Sequence, residues 1–61
     1  MCQMSVVRTE NDKEELVMES VTRLVVKDNG VEVSTFFENP KFVPGVVVQS
    51  IDFLGGKVFL G

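Results

Sequence analysis

The chain has 61 residues, 44% of them apolar, with nine carboxylates against six Lys and Arg and no histidine. That length allows one domain, predicted over residues 1–61, which is marginal by itself and ordinarily needs a disulfide, a metal or a second copy. The single cysteine, Cys2, removes an internal disulfide, so self-association is the first expectation.

The net charge of −3 comes with no like-charge block. Non-specific nucleic-acid binding and adhesion to anionic membranes both need clustered cations, so neither is expected. No apolar run approaches the ~20 residues of a membrane span. The start MCQMSVV lacks the basic and then apolar character of a secretory signal. A lone thiol in a chain read as unexported fits a reducing cytoplasm.

Thirteen residues are Val, and Ile, Thr and Phe add nine more, while Ala is absent. Such side chains suit a pleated, half-buried surface and lose rotamer freedom in a helix. The class read from them is all-β. In chain order, Cys2 to Thr9 is a first strand, with Met4 and Val6 on one face and Ser5, Val7 and Thr9 on the other. Glu10-Asn11-Asp12-Lys13 is a polar turn. Glu14 to Glu19 returns as a second strand, Leu16 and Met18 alternating with Glu15, Val17 and Glu19. A helix over 10–19, started by Asn11 ahead of Glu14 and Glu15, is the competing reading.

Val21 to Lys27 forms a third strand with an apolar centre at Leu24-Val25-Val26. Asn29-Gly30 predicts a type I′ hairpin turn, which needs positive φ at both central positions. A half-buried fourth strand follows, Val31, Val33 and Thr35 alternating with Glu32, Ser34 and Phe36. After the turn Glu38-Asn39-Pro40-Lys41 comes a short edge segment, Lys41-Phe42-Val43, ended by Pro44-Gly45. Val46 to Phe53 is a further strand, Leu54-Gly55-Gly56 turns the chain, and Lys57 to Leu60 closes it. Six or seven short strands at this spacing predict a small antiparallel β-barrel or roll. Phe36, Phe37, Phe42, Phe53 and Phe59 are expected in its core.

Little enzyme chemistry can be assembled from this inventory. Without histidine there is no Ser-His-Asp or Cys-His arrangement, and no phosphate-cradling glycine loop is present. Glu14, Glu15, Glu19 and Glu32 are spread as a solvated surface. One cysteine cannot supply the four side-chain ligands of structural zinc. A small barrel that binds RNA is the alternative function, weakened by the acidic balance and by the expected burial of the aromatics.

Cys2 alone has specific chemical potential. A lone cysteine is ordinarily a small buried hydrophobe, but this one stands beside the terminal nitrogen. With Met1 removed, the Cys2 amine and thiolate form a five-membered chelate. With Met1 retained, its amine, the Cys2 amide nitrogen and the thiolate offer three donors. Two chains meeting near their N-termini would supply two sulfurs and two nitrogens. Such planar sets suit Ni(II) or Cu(II), and thiolate would reduce Cu(II). Small size and ligand scarcity therefore converge on a symmetric metal site on a dimer axis.

Taken together, these residues resemble the CooT-type nickel-binding accessory proteins associated with carbon monoxide dehydrogenase. The likeness rests on the Met1-Cys2 start, the hairpin Asn11-Asp12-Lys13-Glu14-Glu15-Leu16 and Asn29-Gly30-Val31-Glu32-Val33. It continues through Phe36-Phe37-Glu38, Val43-Pro44-Gly45 and Ile51-Asp52-Phe53, in that order over nearly the whole chain. The resemblance implies a small all-β homodimer that binds one Ni(II) per dimer through Cys2 of both chains. It further implies delivery of the nickel to a maturing enzyme client. Glu38-Asn39-Pro40 departs from the family pattern, which often has a Gly after the aromatic turn.

Overall fold

The computed structural model describes residues 3–61. The predicted start of the first strand, at Cys2, lies outside them. Seven strands follow in order: β1 (Met4–Glu10), β2 (Lys13–Val21), β3 (Arg23–Lys27), β4 (Gly30–Ser34), β5 (Lys41–Pro44), β6 (Val48–Asp52) and β7 (Lys57–Leu60). No helix occurs among the described residues. The all-β reading therefore holds, and residues 10–19 form a hairpin.

The primed turn sits in that first hairpin. Glu10 pairs with Lys13, and the two residues between them, Asn11 and Asp12, have φ of 54° and 65°. Asn and Asp tolerate this left-handed conformation because their short side chains bond locally. Glu14 and Glu15, which resembled a helix start, lie in β2 opposite Thr9 and Arg8. The predicted type I′ turn at Asn29-Gly30 is corrected. Lys27 pairs with Gly30, which makes Asp28 and Asn29 the loop residues, and neither has positive φ. Gly30 is needed for space instead. A Cβ there would collide with the carbonyl oxygen of Val43 and come within 2.8 Å of Pro44 Cα on the neighbouring β5.

The strands form two sheets, ordered β2-β1-β7-β6 and β3-β4-β5. The expected barrel is corrected, because the two sheets do not close on each other. Nor is the pairing wholly antiparallel: β1 and β7 run parallel, Val6 beside Val58 and Arg8 beside Leu60. The chain changes sheet between β2 and β3. Two register shifts let the nine residues of β2 face the seven of β1, and Ser20 takes φ 59° at the end. Extra residues of this kind bend a strand and increase its twist. Thr22 then donates its N–H to the carbonyl of Ser34 at 2.9 Å, which fixes the corner.

The bulges also change which side chains face inward. Strict alternation predicts Leu16 and Met18 on one face. Instead Val17 and Met18, consecutive in sequence, both pack on the core, and Leu16 is 53% exposed. The buried hydrophobic residues are Val6, Val7, Val21, Val31, Val33, Val43, Val46, Val58 and Leu60, with no buried polar or charged side chain among those described.

None of the five phenylalanines belongs to that core, which corrects the expectation. Phe36, Phe37 and Phe53 are about four-fifths exposed (80, 78 and 81%), Phe42 is exposed and Phe59 half-buried. β4 ends at Ser34 because the Thr35 hydroxyl accepts the N–H groups of Phe37 (2.9 Å) and Glu38 (3.0 Å). This local turn competes with continued pairing and throws Phe36 and Phe37 outward. Phe53 lies in the β6–β7 turn. The chain exposes 4461 Å² in all, where a folded chain of its mass is expected to expose about 4,000 Å².

Candidate functional site

The predicted metal ligand, Cys2, lies outside the described residues, which begin beside it at Gln3. Among the described residues no group of three or more His, Cys, Asp or Glu is placed to hold a metal ion. Glu14, Glu15 and Glu19 are exposed and Glu32 is half-buried, in keeping with a solvated acidic surface.

The start of β1 is held firmly. Ser5 donates its N–H to the carbonyl of Gly56 at 2.8 Å, and its register partner is Lys57. Parallel pairing puts the beginnings of β1 and β7 at one end of the first sheet, and the β6–β7 turn lies at that same end. The turn has its own lock: Asp52 Oδ1 accepts the N–H of Gly55 at 2.9 Å. The Asp52 carboxylate is thereby folded onto the turn backbone.

A shallow apolar depression results at this end, lined by Gln3, Met4, Ile51, Phe53, Leu54 and Val58 together with the turn glycines. No charged side chain lines it. Ile51 stands opposite the buried Val58 and yet is 46% exposed, while Leu54 is fully exposed. Three other surface depressions carry charged side chains. One near the corner is lined by Glu19, Glu38 and Lys41, and another by Glu10, Lys13, Glu14 and Glu15. Sequence reading placed Phe53 in the core and so missed this corner. The available signal was Phe53-Leu54 running into Gly55-Gly56, two large apolar residues inside a turn.

Comparison with known proteins gives the family directly. The profile described as CO dehydrogenase accessory protein CooT matches residues 1–61, the entire sequence. The chain belongs to the CooT family. A crystal structure described as a CooT from Carboxydothermus hydrogenoformans matches with a TM-score of 0.85 at 24% identity. The match covers 97% of this chain and 94% of that one, and it shows a shared fold. No curated protein matches the chain significantly. CooT membership sets the coarse role, accessory to carbon monoxide dehydrogenase. No helix of the described residues is long and apolar enough to cross a membrane.

Proposed function

We propose that this CooT protein is a cytoplasmic nickel-binding accessory protein, a single domain that works as a homodimer. In this reading two chains hold one Ni(II) through both Cys2 thiolates and adjacent backbone or terminal nitrogens, and pass it to a maturing nickel enzyme such as carbon monoxide dehydrogenase. The carrying observation is the family match that runs through Met1-Cys2. Composition supports it: with one sulfur donor besides methionine and no imidazole, a thiolate site of four donors needs two chains and backbone nitrogen. Sulfur with strong-field nitrogen in a plane suits Ni(II). Transfer to a client then needs ligand exchange alone, with no change in oxidation state.

Titration of Ni(II) into reduced protein, followed by thiolate-to-metal absorption, tests the reading. One metal per two chains is expected. Cys2→Ser should weaken binding by more than the ~10–100-fold typical of losing a residue that merely orients a ligand. Affinity should fall with pH, since protons compete for the thiolates. Equal binding by Cys2→Ser rejects the site.

The exposure of Phe36 and Phe37 removes one argument against RNA binding, since exposed aromatics can stack on bases. Phe37 nevertheless shares its surface with Glu19 and Glu38 rather than with a cationic track. RNA affinity that falls steeply with salt and ignores Cys2→Ser would favour that alternative.

A further inference from the structure

We infer that the groove between the free edges of β2 and β5 receives an extended, basic segment of a partner protein. That surface needs neither nickel nor Cys2 to work.

The open architecture makes the groove. The two sheets do not close, and β2 and β5 are each the last strand of their own sheet. One depression lies between Glu15, Leu16 and Val17 of β2 and the whole of β5, Lys41 to Pro44. A second continues along β2 to Ser20, bounded on its other side by Thr35, Phe37 and Glu38. Both include Leu16, Val17 and Lys41, so they form one continuous groove. From Glu15 to Ser20, at about 3.3 Å per residue, it accepts roughly six residues of extended chain.

Unused backbone sets the shape of the occupant. Edge strands carry N–H and C=O groups with no strand beside them, and an extended chain can pair with these. β2 is the longest strand, nine residues without Pro or Gly. Its register shifts against β1 bend it, which disfavours a flat sheet along its length and leaves room for one short segment. The groove also has apolar surface to cover, since Leu16, Phe37 and Phe42 are all exposed.

Charge sets the chemistry. Glu15, Glu19 and Glu38 line the groove against Arg8 and Lys41, and Arg8 already has Glu10 at 4.0 Å. Glu15 also borders the next depression, where Glu10 and Glu14 accompany Lys13. Together these surfaces hold five carboxylates and three cations. They repel the phosphates of RNA. A second copy of this chain would set Glu against Glu across a two-fold axis. Lys and Arg suit the groove twice over, because their charges meet the carboxylates and can lie over the faces of Phe37 and Phe42.

The probe is a capped peptide of about eight residues that alternates Lys with Val and Thr. It is titrated into the isotope-labelled full chain and followed by amide NMR shifts, beside a counterpart with Glu for Lys. The Lys peptide should move the signals of Leu16 to Glu19 and of Phe42 and Val43. Those of Gln49 to Ile51, on the β6 edge, should stay in place. The Glu peptide should bind at least tenfold weaker, a comparison that needs no variant. Glu19→Gln with Glu38→Gln should weaken the Lys peptide about fivefold, the scale of losing two exposed ion pairs. Asp12→Asn with Asp28→Asn removes the same charge outside the groove and should change binding less than twofold. All four carboxylates are exposed, and far-UV circular dichroism checks the fold. Equal binding of the two peptides, equal losses in the two double variants, or shifts confined to the β6 edge overturn the inference. So does a Lys peptide that moves no signal, or an oligouridine that moves the groove signals when the peptide does not. Shifts at β2 and β5 that depend on protein concentration without peptide would give the groove to a second copy and also overturn it. The nickel reading fails separately, through unchanged metal binding in Cys2→Ser.

Discussion

Gly30 and Gly45 both resist replacement, for different physical reasons. At Gly30 the obstacle is space, since a methyl group would strike the Val43 carbonyl and crowd Pro44. At Gly45 there is open room around the Cβ position, and the obstacle is a φ of 73°. Gly45→Ala should cost about 1–2 kcal/mol, the penalty for a side chain in the left-handed region. Gly30→Ala should cost about 1–3 kcal/mol from forced displacement of β5, with altered NMR shifts at Val43 that Gly45→Ala does not produce. Urea unfolding of the two variants measures the energies. Similar shifts at Val43 in both would contradict the separation of causes.

The bulged strand β2 is where sequence pattern and structure part most clearly. One extra residue between Val6/Met18 and Val7/Leu16 shifts the phase of alternation, so Val17 joins Met18 on the core while Leu16 goes outside. Leu16 keeps a cross-strand contact position opposite Val7. Leu16→Gln should therefore cost under about 1 kcal/mol, the scale of one such pair. Met18→Ala should cost more, about 1–2 kcal/mol, because a half-buried side chain loses part of the full core penalty of ~2–5 kcal/mol. A reversed order in chemical denaturation would mean that the bulge is absent in solution.

At the scale of the molecule, a four-stranded and a three-stranded sheet meet over a small core of Val and Leu and leave four strand edges free. Large apolar groups stay outside, Phe53 and Leu54 among them. In the homodimer proposed above, association adds to the stability of each chain, so the melting temperature depends on concentration. We expect Tm to rise by several degrees over a roughly hundredfold increase in protein concentration. A Tm independent of concentration in the wild type would show that folding needs no second chain.

Much of this was legible from composition and turn chemistry alone. Thirteen valines with no alanine specify strands because β-branching penalises helices. Asn, Asp, Gly and Pro mark the turns, and each acts through its own φ preference or hydrogen bond, a local effect. The ligand proposal also starts from the sequence, because Cys2 is the one thiol in a chain without histidine and stands beside the terminal nitrogen; it lies outside the described residues. Burial was not local. Whether a Phe lies inside depends on what covers it, and Thr35 and the β6–β7 turn put Phe36, Phe37 and Phe53 where no strand reaches. Bulges and sheet closure likewise depend on partners distant in sequence, which set register and leave the two sheets open. Strand class and the positions of most turns follow from single residues and their neighbours, so they could be read without coordinates. Which apolar side chains stay in water was settled only by long-range pairing, because strands distant in sequence set what covers each one.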